Sequence, residues 1–145
     1  MQEVSVSRTV AAPRQQAWDL YTDHVSWQDW AGLGRVRLDR EGDPAPNGSG
    51  CVRVITSAGM PVYEEILEFD VPTRMTYTLV KGAMPIRDHL GEVDFSDDGE
   101  GTLIEWRARF NSKIPGLGWL LKLIVQRVFD QAMDGFERRL AEDKR

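Results

Sequence analysis

Val4, Val6 and Val10 alternate with polar residues over Val4-Ser5-Val6-Ser7-Arg8-Thr9-Val10, the period-two pattern of a half-buried strand. Ala12-Pro13 stops it. Proline suits a first helical turn, and Ala17, Trp18, Leu20 and Tyr21 then supply an apolar stripe, which predicts a short helix from about Pro13 to Tyr21. A second short helix follows over His24 to Trp30, with Trp27 and Trp30 on one side. From Gly34 to Asn111 the pattern predicts six strands: about Gly34 to Arg40, Gly50 to Ser57, Pro61 to Phe69, Arg74 to Lys81, Ile86 to Phe95 and Thr102 to Asn111. Turn chemistry fills the gaps, as in Pro44-Ala45-Pro46-Asn47-Gly48 and Asp97-Asp98-Gly99-Glu100-Gly101. Gaps this short imply antiparallel neighbours, because parallel strands need a crossover of about a dozen residues or more. After Ile114-Pro115-Gly116 a long helix, roughly Leu117 to Asp143, carries Leu121, Ile124, Val125, Val128, Ala132, Phe136 and Leu140 at helical spacing. The expected fold is α+β, a seven-stranded curved antiparallel sheet around a long C-terminal helix with two short helices after strand one, in a single domain over residues 1–145.

A chain of 145 residues buries roughly 70% of the surface its unfolded form exposes and needs neither disulfide nor metal to fold. Its 18 Lys and Arg against 23 Asp and Glu give a net charge of −5, which argues against nucleic acid as a partner. The single cysteine, Cys51, has no internal partner, and His24 and His89 alone offer no zinc-ligand spacing, so no metal is expected. The start, Met1-Gln2-Glu3-Val4-Ser5, lacks the basic and apolar runs of a secretory signal, and no stretch is apolar over a membrane-spanning length. A cytoplasmic protein without stable membrane insertion is expected. Composition adds one surplus, five Trp, five Phe and three Tyr, that must be buried or used.

The order of elements and the residues punctuating it resemble the START-like (Bet v 1-like, helix-grip) superfamily, most closely its polyketide cyclase/dehydrase and lipid-transport branch. The resemblance rests on Val10-Ala11-Ala12-Pro13 with Trp18, on Asp23 and Trp27 to Trp30, on Glu65 and Tyr77, on Asp88-His89-Leu90-Gly91, and on Gly101-Thr102-Leu103-Ile104-Glu105-Trp106. It implies a cavity between sheet and long helix for an apolar or amphipathic small molecule. Superfamily members include aromatase/cyclases, sterol and lipid carriers, hormone receptors and co-chaperones, so fold alone does not choose a function. Ala58-Gly59-Met60-Pro61-Val62 is similar to the gate loop of the abscisic-acid receptors, and Gly82-Ala83-Met84-Pro85 stands where their second lid loop would be, without its polar character.

Since the concave face of such a sheet is the dry one, apolar parity indicates which side chains enter it. Thr102, Ile104, Trp106, Ala108 and Phe110 share the inner face of the last strand; His89, Gly91, Val93 and Phe95 that of the sixth; Met75, Tyr77 and Leu79 that of the fifth. In the fourth, Tyr63, Glu65, Leu67 and Phe69 are expected inward. The third strand is ambiguous, Val52 and Val54 competing with Cys51 and Ile55, which leaves Arg53 free to go either way. Neighbouring strand residues point to opposite faces, so Asp88-His89 is not a dyad and Glu64-Glu65 is not a carboxylate pair.

The expected site is an aromatic cavity lined by Tyr63, Glu65, Tyr77, His89, Trp106 and Phe110, joined by Arg53 if the third strand turns it inward, with Met60 and Met84 on its rims. A flat, partly oxygenated hydrophobic molecule suits such a lining. In the enzyme reading, a polyketide-like substrate cyclises or dehydrates with Tyr63 and Tyr77 donating to carbonyl oxygens and Glu65 or His89 moving the proton, without a cofactor. Two alternatives stand beside it: a non-catalytic carrier or sensor, and a co-chaperone-like interaction module. Trp119 and Leu123 lie off the main stripe of the long helix; burial within the domain is expected for them, with gate-loop packing, a dimer contact or a membrane contact as the other options. The chain is expected as a monomer or homodimer.

Overall fold

The computed structural model describes residues 1–143; the last two residues of the expected single domain, 144 and 145, lie outside the described residues. Seven antiparallel strands form one sheet in the order β1-β7-β6-β5-β4-β3-β2, with β1 Gln2–Val10, β2 Arg35–Arg40, β3 Val52–Ser57, β4 Met60–Asp70, β5 Arg74–Gly82, β6 Ile86–Asp98 and β7 Gly101–Ser112. Helix α1 (Arg14–Thr22) follows β1, and the expected second helix divides into a 3-10 turn, His24–Ser26, and one α-turn, α2 (Trp27–Trp30). Helix α3 (Gly118–Asp143) closes the chain and packs mainly on β1, with α1, α2 and β7 along its flank. The helix-grip architecture expected from the sequence is present.

Strand β7 anchors the core because its alternation is strict: Thr102, Ile104, Trp106, Ala108 and Phe110 are all buried on the concave side. On the convex side of the same strands, Arg107 and Arg74 bridge Glu92 and Asp94 across β5, β6 and β7. These half-buried pairs form a network, the arrangement in which surface charges act together. Helix α3 closes the β1 edge with polar contacts. The Gln126 amide donates to the Ser5 carbonyl at 2.9 Å and accepts from the Ser5 N–H at 3.4 Å, occupying an edge that would otherwise be free to pair with another strand. Arg8 reaches across from β1 to Asp134 at 2.8 Å and Glu137 at 3.2 Å. The lower half of α3 touches the short helices so closely that a Cβ on Gly135 would meet the Trp30 carbonyl oxygen at 1.7 Å.

Strand β4 departs from the expected parity. A register shift between Ile66 and Phe69 sets two β4 residues, Leu67 and Glu68, against one of β5, so Ile66 and Phe69, three apart, both meet the core. Counting back from Phe69 by twos across that shift misplaces the strand. Leu67 is exposed, and Tyr63 and Glu65 lie on the convex face, where Tyr63 sits under Lys81 Nζ at 4.3 Å and Glu65 pairs with Arg40 at 3.6 Å. In β3 the ambiguity resolves toward Arg53 and Ile55 on the concave side, in phase with Cys51 just before the strand.

The upper half of α3 is a second departure. Trp119 and Leu123, expected to be buried, are 61% and 60% exposed, and Ile124 on the predicted stripe is 44% exposed. Only from Phe129 onward does the helix bury the full stripe, through Ala132, Met133, Phe136 and Leu140.

Candidate functional site

On the concave face, carried by β3 next to the edge strand β2, stands a buried cation. Arg53 is 1% exposed, and β3 pairing sets it directly opposite Glu64 in β4, whose Oε1 accepts from Arg53 Nε at 2.9 Å. The guanidinium carbon lies 4.9 Å from the Trp27 ring centroid and 4.7 Å from that of Tyr77, so aromatic faces hold the charge where water does not. Burial works against ionising Arg53, but Glu64, with Tyr21 and Tyr77, outweighs it and keeps the guanidinium protonated.

Two histidines complete the cluster, each in a defined tautomer. His24 accepts from Arg53 Nη1 at its Nδ1, 3.2 Å away, and therefore donates from Nε2 to the Asn47 carbonyl at 3.0 Å, tying the β2–β3 loop to the site. Burial, reinforced by Arg53, lowers its pKa to about 3, so it is neutral. His89 accepts the Leu79 N–H at its Nδ1, 3.1 Å away, which places the proton on Nε2. Its pKa is also lowered, first by burial. No acceptor within the described residues takes the His89 Nε2–H.

Tyr77 links this cluster to the long helix. Its hydroxyl accepts from Trp106 Nε1 at 2.8 Å, and Trp106 stacks on Phe129 of α3 with centroids 3.7 Å apart. The Tyr77 ring fits because residue 91 has no side chain: a Cβ there would lie 2.2 Å from the ring. Tyr21 packs edge-on against Trp27, Trp106, Phe95 and Phe136. Its hydroxyl is the one buried side-chain polar atom left without a partner among the described residues, and burial, then Tyr77, pushes its pKa well up, so it stays a neutral donor. An unsatisfied buried hydroxyl costs on the order of 1–3 kcal/mol.

The structure thus gathers Arg53, Tyr77, His89 and Trp106 of the expected site, with Phe110 fully buried in the same core and Met84 half-buried at its edge. It does not bring in Tyr63 or Glu65, which face outward for the bulge reason given above, and Met60 is 56% exposed at the β3–β4 turn. Glu64 and His24 take their places. The signal for Glu64 was its position across from an inward arginine, legible only once β3 parity is known; Tyr21 was read as part of a helix stripe and not as a polar group. In place of an open aromatic wall, the rings pack on one another. Two grooves on the molecule, of about 340 and 450 Å³, lie elsewhere, one lined by residues including Met1, Asn111 and Trp119, the other by residues including Glu3, Leu90 and Lys122. Among the described residues no group of His, Cys, Asp and Glu could hold a metal ion, and no helix is long and apolar enough to cross a membrane.

Chemically, the cluster offers a compensated ion pair, two neutral imidazoles and two hydroxyls. Its available functions are a hydrogen-bond donor at His89 Nε2, another at Tyr21, and the second carboxylate oxygen of Glu64.

Comparison with known proteins adds the following. The family described as "Polyketide cyclase / dehydrase and lipid transport" matches residues 1–142. No curated protein matches the chain. Among solved structures, the protein XoxI from Bacillus cereus is 15% identical, with a TM-score of 0.81 over 100% of this chain and 99% of its own. A START superfamily protein from Mycobacterium smegmatis is 14% identical, with a TM-score of 0.81 over 97% of each chain. A point mutant of norcoclaurine synthase from Thalictrum flavum, in complex with a transition-state analogue, is 14% identical, with a TM-score of 0.78 over 99% of this chain and 96% of its own.

Proposed function

From the chain's membership of the polyketide cyclase/dehydrase and lipid-transport family, we propose that it binds a neutral, largely apolar small molecule bearing a hydroxyl or carbonyl oxygen between its sheet and long helix. The observation that carries this reading is the Tyr21 hydroxyl, buried without a partner in the field of Arg53 and Glu64. Buried polar groups are almost always satisfied, so an orphan in a polar cluster marks a place for an oxygen from outside the chain. Charge sets the ligand class. Arg53 and Glu64 cancel and the two imidazoles are neutral, which favours an uncharged ligand, and the surrounding rings favour a flat one.

As an enzyme, the protein would use Glu64, in place of Glu65, to take a proton from carbon or oxygen of the bound molecule. His89 Nε2–H and the Tyr21 hydroxyl would stabilise the developing enolate or leaving oxygen, and Arg53 would hold Glu64 in place. As a carrier, the same groups would only orient the ligand. Because the rings close the interior, binding requires the Trp106–Phe129 stack to part.

Titration with a hydroxyanthraquinone, followed by tryptophan fluorescence and native mass spectrometry, tests the reading. Saturable one-to-one uptake is expected, at least tenfold weaker in His89→Phe and in Tyr21→Phe. Uptake unchanged in both variants would overturn it. Chemistry is separated from carriage by Glu64→Gln: product formation that disappears while uptake persists identifies an enzyme, and uptake without product in the native protein identifies a carrier.

A further inference from the structure

The upper end of α3 presents large apolar side chains to solvent on a part of the chain that departs sharply from the overall charge. Trp119, Leu120, Leu123 and Ile124 are 61%, 39%, 60% and 44% exposed, and Ile114 and Leu117 just before the helix are 43% and 36% exposed. Contiguous apolar surface of this kind marks an interaction site, not random exposure. Between Glu105 and Asp130 the sequence holds five cations, Arg107, Arg109, Lys113, Lys122 and Arg127, and no carboxylate, leaving thirteen cations against twenty-three acids elsewhere. Arg107 is paired on the convex face, and Glu3 lies opposite Arg109. Lys113, Lys122 and Arg127 are exposed and make no salt bridge among the described residues.

These cations bracket the apolar tip along the chain. Lys113 precedes it, Lys122 borders one edge, and Arg127 follows one turn further along the same outward face. Beyond Arg127, Asp130, Asp134 and Glu137 turn toward Arg8. We propose that this tip is a docking surface for an anionic lipid bilayer, with Trp119, Leu120 and Leu123 entering the headgroup boundary and Lys113, Lys122 and Arg127 meeting lipid phosphates. Trp and Leu on one face with cations at the border is the composition of interfacial helices. A second copy of this chain fits less well, because a two-fold contact through the same patch would set each basic cluster against its own image. The surface is separate from the buried Arg53–Glu64 cluster, so the two proposals stand or fall independently.

Co-sedimentation of the full chain with vesicles of phosphatidylcholine alone, and with about a third phosphatidylglycerol, tests it. Partition onto the anionic vesicles is expected to be at least tenfold stronger than onto the neutral ones. Lys113→Gln and Lys122→Gln should each weaken it about fivefold. Trp119→Ala combined with Leu123→Ala should weaken it at least tenfold, with an unchanged thermal midpoint and unchanged hydroxyanthraquinone uptake. Three results would overturn the proposal: no partition onto anionic vesicles, partition indifferent to the Trp119→Ala, Leu123→Ala pair, or a dimer in sedimentation equilibrium that this pair dissociates.

Discussion

His24 makes the site acid-labile, and the size of the effect follows from its surroundings. The ring is fully buried, donates to Asn47, accepts from Arg53 and is held neutral with a pKa of about 3, against 6.5 in a solvated chain. Because the fold suppresses protonation that the unfolded chain allows, the unfolded state binds more protons between those two values. Stability is therefore full above about pH 6.5 and falls as pH drops toward 3. For this one group the loss between pH 7.5 and pH 5 is about 2 kcal/mol. His89, lowered in the same direction, adds to it. Glu92, whose pKa is lowered by Arg74, loses its contribution only as pH falls below the ordinary carboxylate range, so this window reports on the imidazoles. Urea unfolding followed by tryptophan fluorescence at the two pH values measures the loss. The His24→Gln variant should start less stable, having lost both ring hydrogen bonds, but lose about 2 kcal/mol less across the window. An equal loss in variant and native protein would show that His24 protonates freely in the fold, and the neutral tautomer assigned here would be wrong.

Three further perturbations address the cluster. Gly91→Ala should cost about 1–3 kcal/mol in urea unfolding, because the added methyl meets the buried Tyr77 ring; a neutral result would contradict the packing. Tyr21→Phe should leave the ligand-free protein as stable or stabilise it by about 1 kcal/mol, since it removes an unsatisfied hydroxyl; a clear loss in thermal unfolding would mean the hydroxyl has a partner. Arg53→Met should cost about 3–5 kcal/mol by leaving Glu64 and the His24 acceptor unpaired, whereas Arg53→Met with Glu64→Gln should recover a large part of that, and purely additive losses would contradict the pairing.

Where the sequence was legible, it was because alternation was uninterrupted. The strict inward series of β7 and the inward Met75 and Tyr77 of β5 could be read directly, and with them the positions of Trp106 and Tyr77. Strand β4 defeated the same logic because the extra residue between Ile66 and Phe69 leaves no mark in hydrophobicity: Tyr63-Glu64-Glu65-Ile66-Leu67 reads equally well in either phase. Glu64 and Glu65 exchanged faces as a result. Arg53 was undecided for a related reason, since Val52 and Val54 are buried on the convex side and so mimic an inward pair. Tyr21 was legible only as part of a helical stripe and His24 only as a histidine without zinc-ligand spacing, because periodicity does not reveal what a polar side chain meets in the core: no partner for the Tyr21 hydroxyl, and Arg53 and the Asn47 carbonyl for His24. Trp119 and Leu123 show the opposite limit. A helix that is apolar nearly all round is expected to be buried, but α3 meets β1 with one side only, Gly118 standing against Gln2, and leaves Trp119 and Leu123 exposed, an outcome that depends on tertiary placement.

The most direct measurement is an NMR titration of the ¹⁵N-labelled protein with a hydroxyanthraquinone, observing the His89 Nε2–H and the Trp106 indole N–H together. Both signals should shift along one saturable curve, since the ligand oxygen meets the first and the parting of the Trp106–Phe129 stack moves the second. Saturable binding that shifts only the Trp119 indole, with His89 and Trp106 unmoved, would contradict the placement of the ligand at the Arg53–Glu64 cluster.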